Sequence, residues 1–128
     1  MALDNIVRFT GPAVTEFHPT TFTTPWYFSV HKQFQCRWRM INILIPKGLR
    51  TDLASIPQAL QSIMPLVDNH LQIAIVHDLC YRHKVGVSKD EADMMFYDGM
   101  ITLGVGWWKA NMMYQAVHWF GGSSFKGG

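Results

Sequence analysis

The sequence predicts an α+β fold: a small N-terminal antiparallel β-sheet packed against a C-terminal helical hairpin plus a further helix. Three observations carry this expectation. Apolar and aromatic residues in the first 45 positions come in short, partly alternating runs, as half-buried strands require. From about position 69 onward the apolar stretches are longer and are bounded by helix-capping and helix-stopping residues. With 128 residues, 48% hydrophobic and 16% charged, the chain can bury one core and is too apolar to stay disordered.

Ile6–Phe9 opens the strands and is broken by Gly11 and Pro12. A Thr-rich connection from Pro19 to Pro25 leads to Trp26–Val30, which is aromatic and β-branched. Cys36–Met40 alternates in part, and Asn42–Ile45 continues as a strand until Pro46 and Gly48 stop it. Pro57 suits the first turn of a short helix through Ile63, ended at Pro65. Asp68 or Asn69 can cap the next helix, which carries Leu71 through Tyr81 to about His83 and is ended by Gly86. Ser88 and Glu91 form a capping box that starts a helix running to about Leu103. A last helix spans roughly Trp107 to Phe120 and stops at Gly121–Gly122. Residues 1–122 are read as a single α+β domain and 123–128 as a flexible tail.

Composition narrows the function classes. A net charge of +2, scattered along the chain, predicts no nucleic-acid role. No run nears the ~18 apolar residues of a transmembrane segment, and no signal-peptide pattern opens the chain. The cytoplasm is the expected compartment of synthesis, although a particle or a lysis system could still carry the protein outward. Two cysteines, Cys36 and Cys80, read as reduced core thiols and not as a disulfide framework.

The chemistry concentrates in Ile73–Tyr81, where His77 and Asp78 stand side by side in an apolar run. Wound as a helix, that run must point polar groups into protein, where they need partners. Only a short turn separates this helix from the next, so the two pair antiparallel. His77 precedes the turn by about as many residues as Asp93 follows it, so the two sit at one height at ~1.5 Å per residue. Asp93 also shares a helical face with Phe96, Tyr97 and Met100. A His77–Asp93 hydrogen bond follows, fixing the tautomer and making the other ring nitrogen a better base or ligand. Asp78 points about a hundred degrees away. It would either hold a cation together with Asp52 and His77, in an oxygen-rich pocket suited to Ca²⁺ or another divalent ion, or bond amides of the loop Gly48–Pro57. Asp52 and Ser55 equally suit capping of the helix begun at Pro57. A His–Asp pair that merely ties two helices together is the structural alternative.

Two resemblances add to this reading. The series Thr51-Asp52-Leu53-Ala54-Ser55-Ile56-Pro57, His77-Asp78-Leu79-Cys80-Tyr81 and Ala92-Asp93 with Phe96 resembles a family of small proteins encoded by tailed bacteriophages and prophages. That likeness implies a phage origin and one compact domain. His77-Asp78-Leu79-Cys80-Tyr81 is also similar to the His-Asp-x-Cys-Tyr helix of secreted and parvovirus phospholipases. The resemblance implies His77 as general base, Asp78 as calcium ligand, Asp93 as orienting acid and Tyr81 as its support. The chain departs from those enzymes in lacking their Gly-rich calcium loop and their disulfides. Two functions compete. One is a metal-assisted, phospholipase-like ester hydrolase acting on host envelope lipid, with a pocket open onto His77. The other is a non-enzymatic virion part (tail, baseplate or connector) or lysis-accessory protein bound to other phage structural proteins, with the polar cluster closed.

Overall fold

The computed structural model describes residues 5–57 and 69–127. Its order is six strands followed by three helices, an α+β arrangement as expected. The short helix predicted after Pro57 lies outside the described residues.

β1 (Val7–Phe9), β4 (Phe34–Trp38) and β5 (Ile41–Ile45) form one antiparallel sheet with β4 in the centre. In β4, Phe34, Cys36 and Trp38 are buried while Gln35 and Arg37 face out, the period of two that a one-sided sheet demands. Trp38 pairs with Ile41, so the run read as a strand through Met40 reverses at Arg39–Met40. Arg39 takes φ 55° there. β2 (Thr15–His18), β3 (Tyr27–Val30) and β6 (Arg50–Thr51) make a second antiparallel sheet in the order β2-β3-β6. The expected single sheet is thus two. β2 and β6 had no sequence signal because β2 has one apolar residue in four and no buried one, and β6 is two residues long.

α1 (Asn69–Arg82) is buried at every position from Leu71 to Tyr81, as a helix apolar on all sides must be. α2 (Lys89–Thr102) begins at the predicted capping box. Ser88 Oγ accepts from the Glu91 amide, and Glu91 accepts from the Ser88 amide, each at 3.1 Å. Ile73 faces Gly99 and His77 faces Asp93, so α1 and α2 run antiparallel. α3 (Trp107–Phe120) packs on α2 through Ala110, Met113 and Val117.

Sheet and helices are joined by polar ties as well as by the core. Trp38 Nε1 donates to Asp98 on α2 at 2.8 Å, and the Val7 amide donates to Thr102 Oγ1 at 3.2 Å. The tail predicted to be flexible is docked through Gly127. A 3₁₀ turn (Gly122–Ser124) sets the Phe125 ring edge-on against Tyr81, and the Lys126 amide donates to the Tyr81 carbonyl at 2.6 Å. The aromatic contact and the free α1 carbonyl give this segment partners that its Gly/Ser composition concealed.

Candidate active site

α1 sends His77 toward α2 and toward the loop after β6 at once. Its Nε2 lies 2.9 Å from Asp93 Oδ1, and its Nδ1 lies 3.0 Å from Ser55 Oγ. Tyr81, one turn on, donates its hydroxyl to the same Asp93 oxygen at 2.6 Å. Lys89, one turn before Asp93, donates to Oδ2 at 2.8 Å and also to the carbonyls of Val117 (3.1 Å) and His118 (3.0 Å). All three ammonium protons are therefore used, and a cation closes the C-terminal end of α3, where helix carbonyls lack partners.

These contacts fix the electrostatics of Asp93. Burial pushes its carboxyl pKa upward, but hydrogen bonds from His77, Lys89 and Tyr81 outweigh this and hold it below the ordinary carboxylate range. The tyrosine responds oppositely: burial, followed by its bond to Asp93, raises the phenol. With Asp93 ionised, His77 Nε2 must be the donor. In the neutral ring Nδ1 is then the acceptor for the Ser55 hydroxyl proton. The chain Ser55–His77–Asp93 has the connectivity of a nucleophile, its base and an orienting acid.

Asp78 occupies the neighbouring sector, as its position after His77 requires. Its Oδ2 accepts from Thr51 Oγ1 at 2.5 Å and its Oδ1 from the Ser55 amide at 3.1 Å. Of the two roles open to it, the structure gives it the loop amide. Asp52 points outward, accepting from the Ala54 amide at 3.0 Å and from Arg82 at 3.1 Å. The Arg82 guanidinium also lies 3.7 Å from Asp78. Each Asp78 oxygen already accepts from a protein donor and the positive charge beside both acids is Arg82, so the pair does not fit the calcium site implied by the phospholipase likeness. Among the described residues no three His, Cys, Asp or Glu side chains gather to hold a metal.

The structure thus brings together His77, Asp93 and Tyr81, sets Asp78 on the loop, and leaves Asp52 outside the cluster. Ser55, Thr51 and Lys89 are the members that sequence reasoning missed in these roles. Ser55 and Asp52 read equally well as helix caps. Lys89 was legible, because it stands four residues before Asp93 on one helix. Among the described residues no opening leads onto His77, against expectation: its side chain is 0% exposed and Ser55 is 2% exposed. The two cysteines lie in the core as reduced thiols, both pushed up to about 12 by burial, and take no part.

A family model described as Protein of unknown function (DUF1353) matches residues 28–117, which include every member of this cluster. The chain belongs to the DUF1353 family. Two proteins of Sinorhizobium fredii (strain NBRC 101917 / NGR234) are similar to this DUF1353 chain. Uncharacterized protein y4jT is 39% identical over 79 residues, 60% of this chain and 23% of y4jT. Uncharacterized protein y4iH is 40% identical over 78 residues, 59% of this chain and 32% of y4iH. The match therefore spans a third or less of each relative's length. No solved structure is significantly similar to the chain.

Proposed function

We propose that this DUF1353 chain is a small ester hydrolase of phage or prophage origin, acting on acyl esters of the host envelope with Ser55 as its nucleophile. The observation that carries this reading is the hydrogen-bond chain Ser55 Oγ–His77–Asp93, with Asp93 held ionised by three donors. Ser55 Oγ attacks the ester carbonyl and its proton passes to His77 Nδ1, while Asp93 stabilises the imidazolium through Nε2. The tetrahedral adduct collapses, the alcohol leaves with the proton from Nδ1, and an acyl-serine remains. Water, deprotonated by the same nitrogen, then releases the acid and restores Ser55. The residues in this sequence act without a metal, and the Arg82 charge lies 3.7 Å from Asp78.

Two further observations support the reading. Leu53, two residues before Ser55, has φ 58°, a conformation costly for a branched side chain and concentrated at functional turns. Trp107, Trp108, Trp119 and Phe120 stand exposed on α3, and no acidic residue follows Asp98, a combination suited to an anionic lipid surface. The phage origin rests on the three-motif resemblance.

The second reading is favoured by the burial of the cluster. A closed, fully bonded Ser–His–Asp chain is also a clamp between the loop, α1 and α2, as a virion or lysis-accessory protein would use it. Hydrolysis at Ser55 requires the loop that carries it to move and admit substrate. Ser55→Ala separates the two. The hydrolase reading expects release of acid from short-chain nitrophenyl esters or phospholipid vesicles, lost by 100-fold or more in the variant. A wild-type protein that releases nothing above buffer, while Ser55→Ala merely lowers the melting temperature, establishes the clamp instead.

A further inference from the structure

A concave site lies between α2, α3 and the β4–β5 turn and shares no residue with the Ser55 chain. It is a cavity of about 360 Å³ lined by Asn5, Arg39, Tyr97, Asp98, Asn111 and Tyr114. Arg39 is the first residue of the two-residue β4–β5 turn, with φ 55°, where glycine would be unstrained. A bulky residue kept in that conformation signals a use for its side chain. The guanidinium carbon lies 4.3 Å over the Trp38 ring, which fixes its plane. Its Nη2 donates to Asn5 Oδ1 at 3.1 Å, while its Nε is buried with no hydrogen-bond partner among the described residues. Ring and amide thus hold the guanidinium at the cavity wall, where its positive charge is the group an anion would pair with.

The remaining lining defines what carries that anion. Asp98 is fixed through Oδ2 by Trp38 Nε1, and its carboxyl beside Arg39 repels a doubly charged phosphate more than a single carboxylate. Asn5, Asn111 and the hydroxyls of Tyr97 and Tyr114 offer mixed donors and acceptors, the pattern that reads hydroxyl groups. The Tyr97 and Tyr114 rings meet edge to face at 5.9 Å and, with Met94, supply an apolar wall for the C–H face of a ring. The volume lies at the small end of ligand pockets.

We propose that this cavity binds an acidic sugar, a pyranose bearing one carboxylate, with the carboxylate on Arg39 and ring hydroxyls on Asp98 and Asn111. The site is independent of the hydrolase reading and survives its failure. The test is titration of the full chain with glucuronate, glucose and glucose 6-phosphate, followed by amide chemical shifts in NMR. Glucuronate is expected to shift residues of the β4–β5 turn, α2 and α3, and to bind at least tenfold more tightly than either other sugar. Arg39→Gln is expected to reduce glucuronate affinity at least tenfold. Should that variant not fold, Asn111→Leu, which fills the cavity from α3, is expected to do the same. No saturable shifts with glucuronate, equal binding of glucose, preference for the phosphate, or unchanged affinity in a folded variant each overturns the proposal.

Discussion

Among the described residues, Asp93 accepts from three side chains, and its lowered pKa ties part of the stability to pH. Its folded pKa is lowered, so the stability it contributes is fully present above the unfolded value of about 3.9 and is lost as pH falls through the lower folded value. Thermal melts are expected to hold steady from neutrality to about pH 5 and to fall below pH 4. Asp93→Asn is expected to melt lower at neutral pH and to lose part of that acid slope. Equal acid slopes in the two proteins would mean that Asp93 is not held ionised by its neighbours. At this scale the sequence was informative where partners lie on regular helices. The His77–Asp93 pairing followed from positions along two antiparallel coils, whereas the Tyr81 support came only with the phospholipase likeness. Ser55 did not, because its partner nitrogen depends on the path of an irregular loop, and serine before Ile-Pro reads as a cap.

The α1–α2 contact depends on an absent side chain as much as on those present. A Cβ on Gly99 would collide with the Ile73 side chain, which is fully buried and has no free space to move into. Gly99→Ala gains about 1 kcal/mol in helix propensity but overpacks the contact by about 1–3 kcal/mol. The expected net is a destabilised protein, and denaturant unfolding measures it; a more stable variant would show that the helices can separate at no cost. The same pair of helices marks where sequence reading succeeded among the elements. Capping residues and helix-stopping glycines are local chemistry, so α2 and α3 were legible at both ends. The strands of the central sheet were legible because alternation survives in β4 and β5. β2 was not, since half-exposed Glu16 and His18 leave no period to detect, and only its pairing with β3 defines it. The Arg39–Met40 reversal was hidden for a related reason: arginine carries no turn signal at a position that glycine normally fills.

Taken as a whole, the molecule separates its chemistry from its surface. The Ser55 chain is enclosed by the loop, α1 and α2, while α3 turns four aromatic residues outward. If that face meets lipid, tryptophan emission is expected to shift to the blue on adding vesicles of anionic phospholipid, and far less with zwitterionic vesicles. Trp108→Ser combined with Trp119→Ser is expected to reduce the shift, and adding Trp107→Ser to abolish it. Unaltered emission at saturating lipid would remove the envelope from the proposed function while leaving the Ser55 chemistry standing.

That chemistry is tested most directly by covalent capture. Incubation of the folded protein with a fluorophosphonate, then peptide mass spectrometry, is expected to find the phosphonyl adduct on Ser55. His77→Ala and Asp93→Asn should reduce its yield at least tenfold. A native protein that stays unmodified, or an adduct that persists unchanged in Ser55→Ala, would contradict the assignment of Ser55 as a nucleophile.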